Sequence, residues 1–126
     1  MTSDDQGYDV EGLRVRREVL GDAHVDGALA AADDLTVDFQ RHITHAAWGE
    51  VWARPGLDRR TRSAVTVAML AALGCEHELG MHLHAGLRNG LTREEIKEVL
   101  LQVAVYAGAP RANRAFAVAQ EALTGG

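Results

Sequence analysis

The densest group of chemically reactive side chains lies in the stretch Cys-Glu-His-Glu-Leu-Gly-Met-His-Leu-His, which begins at Cys75. At about 100° per residue in an α-helix, Cys75, Glu78 and His82 fall on one side of the helix. His77 and His84 fall nearly opposite them. Glu78 and His82 are four residues apart, so the carboxylate could hold the imidazole and raise its pKa. Such a pair suits proton transfer near neutral pH, although an ordinary surface Glu-His pair has the same spacing.

A metal site and a thiol nucleophile are two sharper interpretations of this stretch. The zincin helix needs two histidines four residues apart, whereas His77 and His82 are five apart and point about 140° from one another. Cys75, Glu78 and His82 offer a mixed set with no fourth ligand nearby, which is a weak zinc site. We therefore expect no metal. A Cys75 thiolate activated by His82 stays open, against the inert core role of most lone cysteines.

A second group combines aromatic and basic side chains. Both tryptophans of the chain, Trp48 and Trp52, lie four residues apart, and arginines follow at 54, 59, 60 and 62. Guanidinium groups bind carboxylates through paired hydrogen bonds, so this stretch suits a small anionic ligand against an aromatic wall. Arg62 is a better candidate than the two arginines before it, which are typical of a solvated helix face.

The composition limits the classes of protein that could carry these groups. The chain has 126 residues, and 13 basic against 18 acidic residues give a formal net charge of −5. This balance disfavours a protein that binds nucleic acid through phosphates. The longest apolar stretch, 64–73, is half of the ~20 residues that a membrane span needs. A single cysteine and a polar start predict one cytoplasmic domain over residues 1–126, with no membrane association.

The elements that must position these groups are predicted to be helices throughout, because helix formers abound and only two prolines occur. Gly21 and Gly74 are typical stop signals, and Thr92 with Glu95 has the pattern of a capping box. An alanine-rich stripe near the end of the chain predicts either a core face or self-association. The predicted helices of this all-α fold cover 10–20, 22–32, 35–48, 58–73, 76–88, 92–106 and 110–123.

A resemblance to a known family is carried by Ala47-Trp-Gly-Glu-Val-Trp-Ala-Arg-Pro-Gly-Leu57 and by Arg60-Thr-Arg-Ser63. It continues through most of the chain, including Tyr106-Ala-Gly108. These segments resemble the gamma-carboxymuconolactone decarboxylases of the protocatechuate branch of the beta-ketoadipate pathway. The resemblance implies a helical fold of the alkylhydroperoxidase D-like type, a homohexamer, and decarboxylation of an anionic lactone without a cofactor.

The same resemblance bears on Cys75. Peroxidase-like members of the wider superfamily have a Cys-x-x-Cys pair with a histidine four residues after the second cysteine. Cys75, Glu78 and His82 occupy these places, so a disulfide cycle within the chain is impossible. Decarboxylation is therefore favoured over a Cys75-dependent peroxidase. A catalytically silent oligomer that binds small ligands stays as a third interpretation.

The implied reaction assigns expected roles to residues. His82 is expected as the general acid or as the donor to the lactone oxygen, oriented by Glu78. Glu50 is expected either to position His42 or His45 or to disfavour the leaving carboxylate. Arg62 would anchor a carboxylate. The full expected set of substrate-binding residues is Arg62, Trp48, Trp52, His42, His45, Arg54 and Tyr106.

Overall fold

The computed structural model describes residues 1–124 and is helical, which confirms the predicted all-α class. The described residues contain no strand, and an isolated bridge joins Ser3 to Asp9. The helices are α1 (Val10–Leu20), α2 (Asp22–Ala30), α3 (Val37–Ile43), a π-helix (Thr44–Trp52), α4 (Arg59–Leu73), α5 (Glu76–Arg88), α6 (Arg93–Tyr106) and α7 (Ala109–Leu123). None of the described helices is both long and apolar enough to cross a membrane.

The chain folds into two compact units, Met1–Leu57 and a second that starts at Asp58. The first unit holds α1, α2, α3 and the π-helix, and the second holds α4 to α7. One domain over residues 1–126 stays a prediction.

The core of the first unit forms where α1 packs against the π-helix. Val15 and Val19 of α1 are fully buried and pack with Trp48. Gly12 lets the two helices approach closely, because a Cβ at this position would collide with the carbonyl oxygen of Thr44. The unit therefore fixes the π-helix against α1 by direct backbone packing.

The core of the second unit is aliphatic and lies among its four helices. Leu79 and Leu83 of α5 pack with Leu100 of α6 and with Ala115 of α7. Burying each leucine contributes roughly 1.5–3 kcal/mol. Ala115 and Ala119 of α7 are buried in this cluster. The predicted alanine-rich stripe therefore lies partly in the core of its own unit.

Local signals in the sequence set most helix ends. Gly74 ends α4 in the left-handed conformation with φ of 74°, and the N–H of Cys75 donates to the carbonyl of Leu70 at 3.0 Å. The predicted capping box is present, since Thr92 and Glu95 each accept from the other's backbone N–H.

The third predicted helix is only partly right. The prediction extended one α-helix over 35–48, but α3 ends at Ile43 and the chain continues as a π-helix to Trp52. The second predicted helix is also two residues too long, because α2 ends at Ala30. The longer helix was predicted from apolar spacing. Over only a few residues, this spacing does not distinguish an α-helix from a π-helix.

Candidate active site

The π-helix is the local structure that carries the candidate site of the first unit. Its hydrogen bonds run from residue i to residue i+5, and such turns occur often at functional sites. Trp48 and Trp52 stack at one side, with ring centroids 5.1 Å apart and planes tilted by 30°. Trp48 is buried, whereas Trp52 is half-buried. The two tryptophan rings therefore contact each other and present one partly accessible ring, and their role as a substrate wall stays a prediction.

His45 lies between two carboxylates. Its Nδ1 is 2.9 Å from Oδ2 of Asp9, and its Nε2 is 3.0 Å from Oε1 of Glu50. The imidazole is 37% exposed, so it is accessible from solvent. The hydrogen bond with Asp9, followed by the attraction of Glu50 and Asp9, raises the pKa of His45 above its ordinary 6.5. The arrangement favours a charged imidazolium with a fixed ring.

Asp9 is a site residue that the sequence interpretation missed. It directly precedes α1, where an aspartate ordinarily caps the helix by accepting a backbone N–H. Its side chain makes no such bond and is buried beside His45. Glycines at 12 and 49 give the carboxylate room, because a Cβ at either position would crowd Oδ2 of Asp9. In the sequence, Asp9 has the pattern of an ordinary helix cap, so the pattern does not indicate its contact with His45.

Arg16 is a second missed residue. It is buried in α1, and its guanidinium donates to Oε1 of Gln40 at 2.9 Å and to Oγ1 of Thr44 at 3.2 Å. Burial lowers the pKa of Arg16 from its ordinary value. Within the described part of the chain it forms no ion pair. Arg16 therefore supports the start of the π-helix through hydrogen bonds to two neutral side chains.

The remaining predicted residues of the first unit are Glu50, His42 and Arg54. Glu50 pairs with His45, which is one of the two histidines that Glu50 was predicted to position. His42, on α3, is exposed. Arg54 follows the π-helix and is exposed.

The second unit holds the other predicted residues. His82 is buried on α5 and is only 7% exposed, whereas Glu78, one turn earlier on the same helix, is exposed. Arg62 is half-buried on α4. Tyr106 ends α6 and is strongly exposed. The predicted pairing of Glu78 with His82 stays a prediction.

Cys75 directly precedes α5 as a free, half-buried thiol. Among the residues that the structure describes, no three His, Cys, Asp or Glu side chains are grouped as they would be around a metal ion. Of the three histidines in the stretch that begins at Cys75, His82 is buried, whereas His77 and His84 are exposed.

The helical fold agrees with the sequence comparison. The chain belongs to the carboxymuconolactone decarboxylase family, which it matches over residues 38–121. It is 52% identical over 119 residues to a 4-carboxymuconolactone decarboxylase of Acinetobacter baylyi, covering 94% of this chain and 88% of the relative.

Two other relatives are named for different reactions. A nitrosuccinic acid decarboxylase of Metarhizium robertsii is 42% identical over 113 residues, which is 90% of this chain and 79% of that protein. An alkyl hydroperoxide reductase of Corynebacterium aurimucosum is 28% identical over 120 residues, covering 86% of this chain and 68% of the relative.

Proposed function

We propose that this protein removes carbon dioxide from gamma-carboxymuconolactone and releases beta-ketoadipate enol-lactone in the breakdown of protocatechuate. The observation that carries the proposal is the 52% identity to a 4-carboxymuconolactone decarboxylase over 94% of this chain. The Acinetobacter relative and the Metarhizium relative are both named decarboxylases, which supports the reaction class.

The substrate supplies its own electron sink in this reaction. Its reactive carboxylate lies on the ring carbon next to the ring oxygen, and an acetate arm is attached to the same carbon. When carbon dioxide leaves, the electron pair moves through the ring double bond into the lactone carbonyl and forms a dienolate. Protonation at the carbon next to the carbonyl then gives the product. The proposed enzyme therefore needs a hydrogen-bond donor, a proton donor and an anchor, and no cofactor.

We assign the donor to the lactone oxygen to His82. Its burial supports the role, because a preorganised hydrogen bond to a developing oxyanion away from water contributes ~3–4 kcal/mol to the barrier reduction. Glu78 is proposed to orient the His82 ring from one helical turn away.

Arg62 is proposed to anchor the acetate arm, since a guanidinium pairs well with a carboxylate. An anchor on the acetate arm leaves the reacting carboxylate free to depart, whereas clamping that group would stabilise the ground state. Trp48 and Trp52 are proposed as the apolar wall beside the ring. His42, Arg54 and Tyr106 are exposed and stay predicted substrate contacts.

We also propose that the protein works as a homohexamer in the cytoplasm. Apolar side chains on the second unit support self-association, because Val65, Met69 and Leu73 are exposed at four-residue spacing along α4. The free thiol of Cys75 agrees with a reducing compartment. Light scattering of the purified protein tests the assembly, and a monomer would contradict it.

Nitrosuccinate is a second candidate substrate, favoured by the 42% identity to a nitrosuccinic acid decarboxylase. In nitrosuccinate a carboxylate and a carboxymethyl arm share one carbon, as they do in the lactone. The nitro group would accept the electron pair in place of the lactone carbonyl. The same donor and anchor would therefore suit both substrates.

The deciding experiment adds purified protein to gamma-carboxymuconolactone generated in situ, with a chelator present, and follows carbon dioxide and enol-lactone. Nitrosuccinate is assayed in parallel. Rapid conversion of the lactone would support the proposal, and rapid conversion of nitrosuccinate alone would transfer it to the second substrate. A folded protein that converts neither would overturn the decarboxylase assignment.

A further inference from the structure

We propose that Asp9 is a positioning residue for the reaction and that His45, held by Asp9, is the proton donor to the dienolate carbon. The inference rests on the proposed decarboxylation and deepens it. It assigns the proton donor that the chemistry requires at carbon, a role separate from that of the donor to the lactone oxygen.

The contact between Asp9 and His45 fixes which ring nitrogen is available. Nδ1 donates its proton to the buried carboxylate of Asp9 across 2.9 Å. Nε2 lies beside Glu50, whose side chain is 63% exposed. Nε2 is paired with this exposed carboxylate, so a ligand reaches it by displacing Glu50, whereas Nδ1 stays paired with the buried carboxylate and holds the ring in place.

The surroundings of Asp9 are built around this contact. Asp9 occupies the residue before α1 but makes no side-chain cap bond. A Cβ at position 49 would collide with Oδ2 of Asp9, so Gly49 leaves room for the carboxylate, whereas the first collision of a Cβ at Gly12 would be with the carbonyl oxygen of Thr44. An ordinary helix cap at Asp9 would not need Gly49, so this space favours a carboxylate that faces His45.

The segment before Asp9 is itself held firmly. Tyr8 is buried, and the backbone N–H of Val10 donates to the carbonyl of Thr2 at 2.8 Å. Arg41 of α3 donates to the carbonyl of Gln6 at 2.8 Å. Asp9 is thus fixed by backbone and side-chain bonds on its N-terminal side, as a positioning residue must be.

The π-helix brings the second carboxylate to the same imidazole. His45 and Glu50 are five residues apart, and in an α-helix they would point about 140° from one another. Hydrogen bonding from i to i+5 places them on one side instead. The charged groups that act on His45 are these two carboxylates. Arg16, the buried cation of α1, hydrogen-bonds Gln40 and Thr44.

The proposed step balances as a single proton transfer. Loss of carbon dioxide leaves an electron pair in the dienolate, and this pair forms the new C–H bond with the proton on Nε2. The N–H bond at Nε2 breaks, and its electron pair stays on the ring. His45 becomes neutral, keeps the Nδ1 proton toward Asp9, and regains a proton at Nε2 from solvent.

The test compares the wild type with Asp9→Asn, and with Asp26→Asn as a matched control. Asp26 is an exposed carboxylate of the same unit that pairs with Arg17 at 2.8 Å. In Asp9→Asn we expect kcat to fall about 10-fold or more and KM to stay unchanged. We also expect the basic limb of the pH–rate profile to move to lower pH. Asp26→Asn should keep wild-type turnover.

A double-mutant cycle separates positioning from a loss of packing. We expect His45→Gln to lower kcat by about 10²–10⁴-fold, and Asp9→Asn to cost nothing further in that background because its target is gone. Additive losses would mean that Asp9 acts only through structure. Since His45→Gln leaves Asp9 in place, it also tests the donor role if Asp9→Asn fails to fold.

The experiments distinguish a failure of the proposed function from a failure of the roles proposed for Asp9 and His45. A folded wild type that decarboxylates neither substrate would refute the proposed function. An active wild type whose turnover and pH profile are unchanged by Asp9→Asn or His45→Gln would overturn this inference alone. NMR titration of the His45 ring protons, which needs no turnover, should show a lower pKa in Asp9→Asn than in the wild type.

Discussion

The Asp9 carboxylate and the Nδ1 atom of His45 meet at 2.9 Å across 36 positions of the chain. A buried carboxylate therefore holds a half-exposed imidazole, and the residue before α1 is tied to the first turn of the π-helix. This pairing gives the first unit a titratable group whose charge state depends on the folded structure.

The stability of the protein should depend on pH through His45. Its folded-state pKa is raised above 6.5, so its contribution is fully present below the unfolded pKa and is lost as pH rises through the folded pKa. Asp9→Asn should therefore lower the free energy of unfolding more at about pH 5.5 than at about pH 8.5. Urea denaturation at both pH values measures this. An equal loss at both would mean that the ion pair does not form in solution.

The buried histidine of α5 should be essential for turnover. We expect His82→Gln to lower kcat by about 10²–10³-fold, as for loss of one oxyanion donor. His84→Gln, an exposed position on the same helix, is the matched control and should keep wild-type turnover. Steady-state kinetics on samples with intact helical circular dichroism provide the measurement. Full activity in a folded His82→Gln protein would remove this residue from the mechanism.

The thiol of Cys75 should be dispensable. Cys75 occupies the N-cap of α5 and makes no side-chain cap bond. Serine is a preferred N-cap, so Cys75→Ser should leave decarboxylation unchanged and stabilise the protein by about 0.5–1 kcal/mol. Parallel assays of decarboxylase and peroxidase activity test both expectations. A peroxidase activity that disappears in Cys75→Ser would instead favour thiol chemistry.

The capping box of α6 should contribute to stability without affecting catalysis. Thr92→Ala removes the side chain that accepts from the N–H of Glu95, and should cost about 1 kcal/mol. Thr66→Ala is a suitable control, because the Thr66 hydroxyl donates to a carbonyl inside α4 and caps nothing. Thermal and chemical denaturation measure the two losses. Equal losses would show that the cap is not the source of stabilisation.

The sequence was sufficient where a single local signal decides the structure. Gly74 can adopt the left-handed conformation that ends α4, and Thr92 with Glu95 begins α6, so both boundaries were predictable. The change from α3 to a π-helix was not. Apolar spacing over a few residues does not distinguish 3.6 residues per turn from a wider helix.

Some contacts of the candidate site were likewise predictable from the sequence, and others were not. Trp48 and Trp52 are four residues apart, so their contact followed from helical geometry. Asp9 lies far from His45 in sequence, and the pairing depends on how α1 packs against the π-helix. Nothing in the spacing of either residue predicts that packing. The sequence left three roles open for Glu50, namely to position His42, to position His45 or to disfavour the leaving carboxylate, and the i to i+5 turn places Glu50 beside His45.

At Asp9, the stability of α1 and the proposed activity make opposite demands on one side chain, because its carboxylate contacts His45 instead of capping the helix. A residue there that turned its side chain back onto α1 would satisfy a backbone N–H and strengthen the helix. The same change would release His45. At a pH above the folded pKa of His45, where the ion pair no longer contributes to stability, engineering for heat resistance would therefore improve position 9 as a cap while lowering turnover, the trade-off that active sites impose on stabilising substitutions.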